Sequence, residues 1–153
     1  MRPSWDAVWM QVADTIALRS LCSRAKVGCV IVAEDQSVLA ASYNGPPAGY
    51  EVSGECNTWC PRALGVGGTT PTYDNCPTVH AEVNACARAS SVRTSSATGY
   101  CTNPPCLNCC KTLAASGITR MVYRLGEQDR HRNPEASEEF LRSCGIEVIR
   151  WED

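Results

Sequence analysis

The sequence lacks any apolar run approaching the roughly 20 residues that cross a bilayer, so no membrane-spanning helix is expected. It has no internal repeat and no low-complexity segment, which argues against a repeat array. It also lacks a strong charge of either sign. The formal net charge is −2 and the sequence pI is near 5.7, so no global field favours nucleic acid or a membrane as partner. A signal-like start is missing too, because Met1-Arg2-Pro3 leads straight into an amphipathic stretch carrying Asp6 and Asp14. Without a secretory start, the eleven cysteines do not read as a disulfide framework. They suit the reducing cytoplasm, as metal ligands and small core residues. What is present suffices for a single domain with a real core: 153 residues, 44% hydrophobic.

The chemistry is concentrated in residues 78–110, which open with TVHAEVNAC and close with NPPCLNCC. His80, Cys106 and Cys109 offer one imidazole and two thiolates, three of the four positions that zinc takes. Three protein ligands leave the fourth position to water, whose pKa zinc lowers to about 7. Glu82, two residues from His80, is the proton carrier at hand. His-x-Glu followed by Pro-Cys-x-x-Cys is the signature of zinc deaminases.

Geometry permits the site. Residues two apart do not share a helix face, so His80 and Glu82 converge only in a first turn, with the metal off the helix end. Thr78 is the expected N-cap of that turn. Cys106 and Cys109, three apart, stack on one helix face, and Pro105 suits the first turn. Two helix N-termini aimed at one metal favour thiolate over thiol. The plain alternative is two unrelated helix starts with buried cysteines. Cys110 could stand in for Cys109, at a spacing of four from Cys106.

Around this stretch, Ser4 can cap a helix over 5–21, on which Val8, Val12, Ile16 and Leu18 recur and Trp5 packs on Trp9. A hairpin follows, strand 27–33 and strand 38–43 about a turn at 34–36. Residues 44–49, NGPPAG, break the strand, and a cysteine-bearing insertion fills about 46–77. Loops this long are uncommon in compact domains unless functional or disordered. Cys56, Cys60 and Cys76, with Cys22 as a fourth, would staple it as a structural zinc resting on cysteines alone, since the insertion has no histidine. Ordinary buried thiols are the other reading. Then come helix 79–89, strand 99–102, helix 106–116 ended by Gly117, strand 118–125, a charged loop at 126–133, a helix from Pro134 to about 144, and strand 146–150. This order predicts a three-layer α/β/α domain, a mixed five-stranded sheet with helices on both faces.

On these residues the chain resembles the cytidine and deoxycytidylate deaminase superfamily, most closely its deoxycytidylate (dCMP) branch, over nearly its whole length. The resemblance is carried by Arg19-Ser20-Leu21-Cys22, Val27-Gly28, Tyr43-Asn44-Gly45, TVHAEVNA at 78–85, PCLNC at 105–109, ASGIT at 115–119 and Val122-Tyr123-Arg124. It implies a cytidine deaminase-like fold and hydrolytic deamination of dCMP to dUMP, with zinc-activated water attacking C4 and Glu82 as general acid and base. It also implies that Asn44 bonds the sugar and that main chain at Ala81 and before Cys106 reads the pyrimidine edge. Asn44 as a mere turn residue is the plainer reading.

For the phosphate, similar enzymes place an arginine just past the first helix, which here is Arg24; Lys26, Tyr123 and Arg124 are further candidates. Arginine gives bidentate phosphate contacts, although a solvated surface role is the plain reading of each. The insertion resembles that of bacterial and phage members, several of which carry a second, structural zinc. Many relatives are hexamers activated by dCTP and inhibited by dTTP, and residues 43–49 resemble the segment used there. Asn103-Pro104 departs from the usual residues before Pro105, which bears on preference at the pyrimidine 5-position. Rival readings are a deaminase of a free nucleoside, of 5-substituted dCMP or of an RNA base, and a noncatalytic zinc-stapled module.

Overall fold

In the computed structural model, residues 1–68, 74–126, 129 and 132–153 are described, Ser91 and Val92 by backbone alone. The parts of the insertion at 69–73 and of the charged loop at 127, 128, 130 and 131 lie outside the described residues.

Helix α1, Trp5–Ala17, starts as its sequence predicts: the Ser4 side chain accepts from the Ala7 N–H at 3.2 Å. Trp5 and Trp9 stack with centroids 5.7 Å apart. The helix ends at Ala17 rather than near residue 21. The backbone tightens there into bonds from Leu18, Arg19 and Ser20 to carbonyls three residues back. The Ser20 hydroxyl is then drawn inward to the Asn44 carbonyl at 2.9 Å.

The sheet contains β1 (Gly28–Val32), β2 (Val38–Tyr43), β3 (Thr98–Cys101), β4 (Arg120–Arg124) and β5 (Glu147–Trp151) in the order β2-β1-β3-β4-β5. β1 runs antiparallel to β2 and to β3, while β3, β4 and β5 are parallel. This is the mixed five-stranded sheet expected. The helices α2 (Ala81–Arg88), α3 (Ser91–Thr94), α4 (Leu107–Ser116) and α5 (Pro134–Ser143) complete the domain. The short α3 was not expected, four residues being too few to show a period.

Successive strand residues point to opposite faces, and both faces are covered. On one, Trp9, Met10 and Ala13 of α1 meet Val30, Val32, Tyr100 and Val122. On the other, Ala85 of α2, Leu113 of α4 and Leu141 of α5 meet Cys29, Ile31, Cys101, Met121 and Tyr123. Gly28 lets α1 lie directly on β1, because a Cβ there would sit 2.0 Å from the Ala13 carbonyl oxygen. Gly117 ends α4 at φ 92°, the left-handed cap expected of it. The insertion is tied back where the Cys56 N–H meets the Leu21 carbonyl at 2.9 Å. Among the described residues, no helix is long and apolar enough to cross a membrane.

Candidate metal centre

The predicted ligands open two helices, which start later than expected, by two residues at α2 and by one at α4. His80, not Thr78, is the N-cap of α2, with Glu82 in the first turn. Cys106 is the N-cap of α4, so Pro105 stands outside the helix and Cys109 lies in its first turn. The His80 side chain makes no cap hydrogen bond to its helix, whereas the Cys106 sulfur accepts from the N–H and the thiol of Cys109 in the first turn of α4. A cap position directs the side chain off the helix end, and that is how His80 and Glu82, two apart, reach one point.

His80 is held from behind. Gly45 and Val79 exchange backbone hydrogen bonds of 3.1 and 2.9 Å, and the Asn84 amide donates to the Tyr43 carbonyl at 3.1 Å.

His80 Nδ1 lies 3.2 Å from Cys109 Sγ and 3.6 Å from Cys106 Sγ. All three ligand atoms fall within 4.8 Å of one another. Nitrogen and sulfur sharing a tetrahedral zinc, at bond lengths of about 2.1 and 2.3 Å, stand about 3.6 Å apart.

The charges ask for a cation. A hydrogen bond from Cys109, helped by another from His80, lowers the Cys106 thiol to about 4 despite burial. The same bond, with burial, drives Cys109 far above the ordinary thiol range. Two adjacent sulfurs thus share one negative charge, and a bound cation is what lets both be thiolates. Cys110 belongs to the core: it is fully buried, with its sulfur 3.7 Å from the Pro105 carbonyl. Among the described residues, His80, Cys106 and Cys109 alone bring three such ligand atoms together. One imidazole and two thiolates fit zinc and leave a position for a reacting molecule.

Glu82 is only 4% exposed. Burial pushes its carboxyl up, against the opposing charge of His80, and the Cys109 thiol bonds to it. A cavity of about 290 Å³ opens over His80, Glu82 and Cys106, lined also by Arg24, Asn44, Ala81, Asn103, Pro104 and Arg132.

Asn44 is 8% exposed; its Oδ1 accepts from the Val27 N–H at 2.8 Å and its Nδ2 donates to the Ala25 carbonyl at 2.8 Å. It therefore shapes the loop, and one N–H and one lone pair of its amide remain for a ligand.

The basic candidates divide. Arg24 lines the cavity, whereas Lys26, Tyr123 and Arg124 do not. Tyr123 is fully buried and bonds Glu138. Arg124 grips Asp14 at 2.7 Å and Asp153 at 2.8 Å. Sequence reading missed Arg132, which lies in a charged loop of the kind usually solvated. It lines the cavity, and its charge opposes protonation of His80.

The four cysteines expected to hold a second metal lie two and two. The Cys22 thiol donates a hydrogen bond to Cys56 Sγ, which also accepts from the Ser23 N–H at 3.1 Å. Cys60 Sγ stands 3.7 Å from Cys76 Sγ. The structure does not gather all four into one ligand set. Cys22 and Cys76 both reach the cavity wall.

An open metal position beside a buried carboxylate, at the carboxyl edge of an α/β sheet, describes a hydrolytic metalloenzyme rather than a thiol redox site. The chain belongs to the cytidine and deoxycytidylate deaminase family: residues 3–125 match the family model described as the cytidine and deoxycytidylate deaminase zinc-binding region. It is 38% identical to the deoxycytidylate deaminase of Saccharomyces cerevisiae over 99% of its own length, but spans only 46% of that protein. It is 42% identical to the deoxycytidylate deaminase of Mycobacterium phage D29, over 80% of this chain and 95% of the phage protein. Among solved structures, the dCMP deaminase of cyanophage S-TIM5, crystallised with dCMP and dUMP, superposes at a TM-score of 0.70. It is 26% identical, with 99% of each chain covered.

Proposed function

We propose that this chain hydrolyses dCMP to dUMP and ammonia. The observation that carries the reading is the buried Glu82 carboxyl beside His80 and Cys106 on the wall of one cavity, with the Cys109 sulfur within 4.8 Å of both ligand atoms. The names of the yeast and phage relatives support dCMP as substrate, as does the dCMP and dUMP complex of the cyanophage enzyme.

His80 Nδ1, Cys106 Sγ and Cys109 Sγ would hold the zinc. When bound, zinc would lower the pKa of a water molecule at its open position to about 7. Overall, one water is consumed, a C4–O bond forms, the C4–N bond breaks and the amine leaves as ammonia.

Glu82 does the proton work: its carboxylate takes a proton from water, gives it to ring N3, and then carries the second proton of that water, from the new C4 hydroxyl, to the departing amine. Burial suits this, because it raises the carboxyl above its ordinary value and makes its carboxylate the better proton acceptor.

Main chain at Ala81 meets the pyrimidine edge, Asn44 bonds the sugar, and Arg24 meets the phosphate. Pro104 and Asn103, on the cavity wall, bear on substituents at the 5-position.

A second zinc, on Cys22, Cys56, Cys60 and Cys76, belongs to the same reading. The 3.7 Å between Cys60 and Cys76 supports it, since thiolates sharing a tetrahedral zinc stand about 3.8 Å apart. So does a reducing cytoplasm, which keeps thiols available as ligands. Control by dCTP and dTTP in a homo-oligomer is also part of the proposal. The bridge from Gly45 to Val79, beside His80, gives residues 43–49 a mechanical path to the site.

The test is conversion of dCMP by the zinc-loaded chain and by H80A. Appearance of dUMP with the parent alone supports the reading. Turnover of another cytosine compound but not of dCMP overturns it.

A further inference from the structure

Asn84 lies one turn into α2, where its backbone N–H donates to the His80 carbonyl at 3.0 Å. Its side chain reaches back past the start of the helix. Nδ2 stands 3.1 Å from the Tyr43 carbonyl, 3.4 Å from that of Gly45 and 3.4 Å from that of Val79. An amide group has two N–H donors, so one of them is shared between two carbonyls.

These carbonyls belong to two separate stretches of chain. Tyr43 ends the edge strand β2, and Tyr43 and Gly45 flank Asn44. Val79 immediately precedes His80. The two stretches meet in an isolated bridge between Gly45 and Val79, whose two hydrogen bonds measure 3.1 and 2.9 Å. An isolated pair can pivot about those bonds. A third anchor off their line removes the pivot, and Asn84 supplies it from the helix that carries Glu82. Asn44 and His80 line the cavity and Asn84 does not, so it acts through them. A plain helix role does not explain the residue, since alanine suits a helix interior better than asparagine.

We infer that Asn84 is a positioning residue that locks the loop bearing Asn44 to the ligand His80, so that metal and substrate sugar are held on one frame. The Asn44 half rests on the dCMP reading above; the His80 half needs the metal alone. A shared frame matters because a displacement of about 1 Å between reacting groups costs on the order of 100-fold in rate.

The test loads the full chain with zinc or with cobalt(II), as parent, N84A, N84D and H80A. N84D keeps the side-chain shape and removes both donors, while N84A suits the helix. Competition with a chelator reads zinc affinity, and H80A marks any metal held elsewhere. Partners that orient a metal ligand account for roughly 10- to 100-fold in affinity, and a weakening of that size is expected in both variants. The visible absorption of the cobalt(II)-loaded chain is expected to change with it, because the bands follow ligand geometry. At saturating zinc, KM for dCMP is expected to rise about tenfold, the scale of a lost hydrogen bond.

Parent-like zinc affinity and cobalt absorption in both variants overturn the hold on His80. A parent-like KM in both overturns the hold on Asn44. A lower thermal midpoint with all three unchanged makes Asn84 a packing residue and overturns the whole inference. Should N84D fail to fold, N84A decides. A parent that never turns over dCMP sinks the functional reading and the Asn44 half with it, while weaker zinc binding in N84A then still supports the His80 half.

Discussion

Arg120 holds Asp6 through two parallel hydrogen bonds, Nη1 to Oδ1 at 2.8 Å and Nη2 to Oδ2 at 2.7 Å. The pair bolts α1 to β4, and the Tyr100 hydroxyl donates to the same carboxylate at 2.8 Å. The Arg120 bond holds the Asp6 carboxyl below its ordinary value of 3.8, against the opposing effect of burial. The folded chain therefore binds fewer protons here than the unfolded chain. The contribution is present above about the unfolded value and is lost as pH falls through the lower folded one. D6N should cost about 1–2 kcal/mol at pH 7, the pair being partly solvated. It should also flatten the fall of stability below pH 4, measured by urea denaturation across pH. A variant as acid-sensitive as the parent would remove this role.

Gly28 bears on α1 from the other side. With only 2.0 Å between a built Cβ and the Ala13 carbonyl oxygen, G28A must push helix and strand apart. A loss of about 3 kcal/mol or more is expected, read as a lower thermal midpoint. Unchanged melting would mean that α1 does not lie this close to β1.

Tyr123 and Arg124 separate what strand position suggests from what packing decides. Both follow a strand register that could have aimed them at a phosphate. Instead Tyr123 is buried against Glu138, and Arg124 is paired with Asp14 and Asp153. Y123F should cost about 1 kcal/mol of stability and R124M a similar amount. KM for dCMP should stay within about twofold, where a lost phosphate contact would raise it about tenfold. A tenfold rise in KM with either variant would return these residues to the site.

The metal group was legible because its spacing is local. His80-x-Glu82 and Pro105-Cys106-x-x-Cys109 each fit one turn, and their order in the chain is enough to propose them as ligands and proton carrier. The hairpin, Ser4 and Gly117 were legible for the same reason. The choice of cap was not: Thr78 is a good cap by type, but His80 takes the position because the Gly45–Val79 bridge fixes the chain just before it. Nor could sequence divide the arginines. Arg24, Arg124 and Arg132 look alike in one dimension, and their roles depend on which acid lies across the fold. Asp14 claims Arg124 and the buried Asp129 claims Arg132.

The four outlying cysteines make a countable claim. A second zinc on Cys22, Cys56, Cys60 and Cys76 predicts two metals per chain by elemental analysis. In C60S/C76S the count should fall to one, with a lower thermal midpoint, because a structural site contributes binding energy to folding. A parent holding one zinc, unchanged by the double substitution, would leave these as ordinary thiols.

Glu82 carries the proposed chemistry, and E82Q tests it at nearly constant shape. Ammonia release from dCMP, measured for parent and E82Q at equal zinc content, is the most direct measurement. The expected result is full zinc occupancy with the rate down at least about 100-fold, the scale of a lost general acid and base. E82Q releasing ammonia at the parent rate would contradict the account.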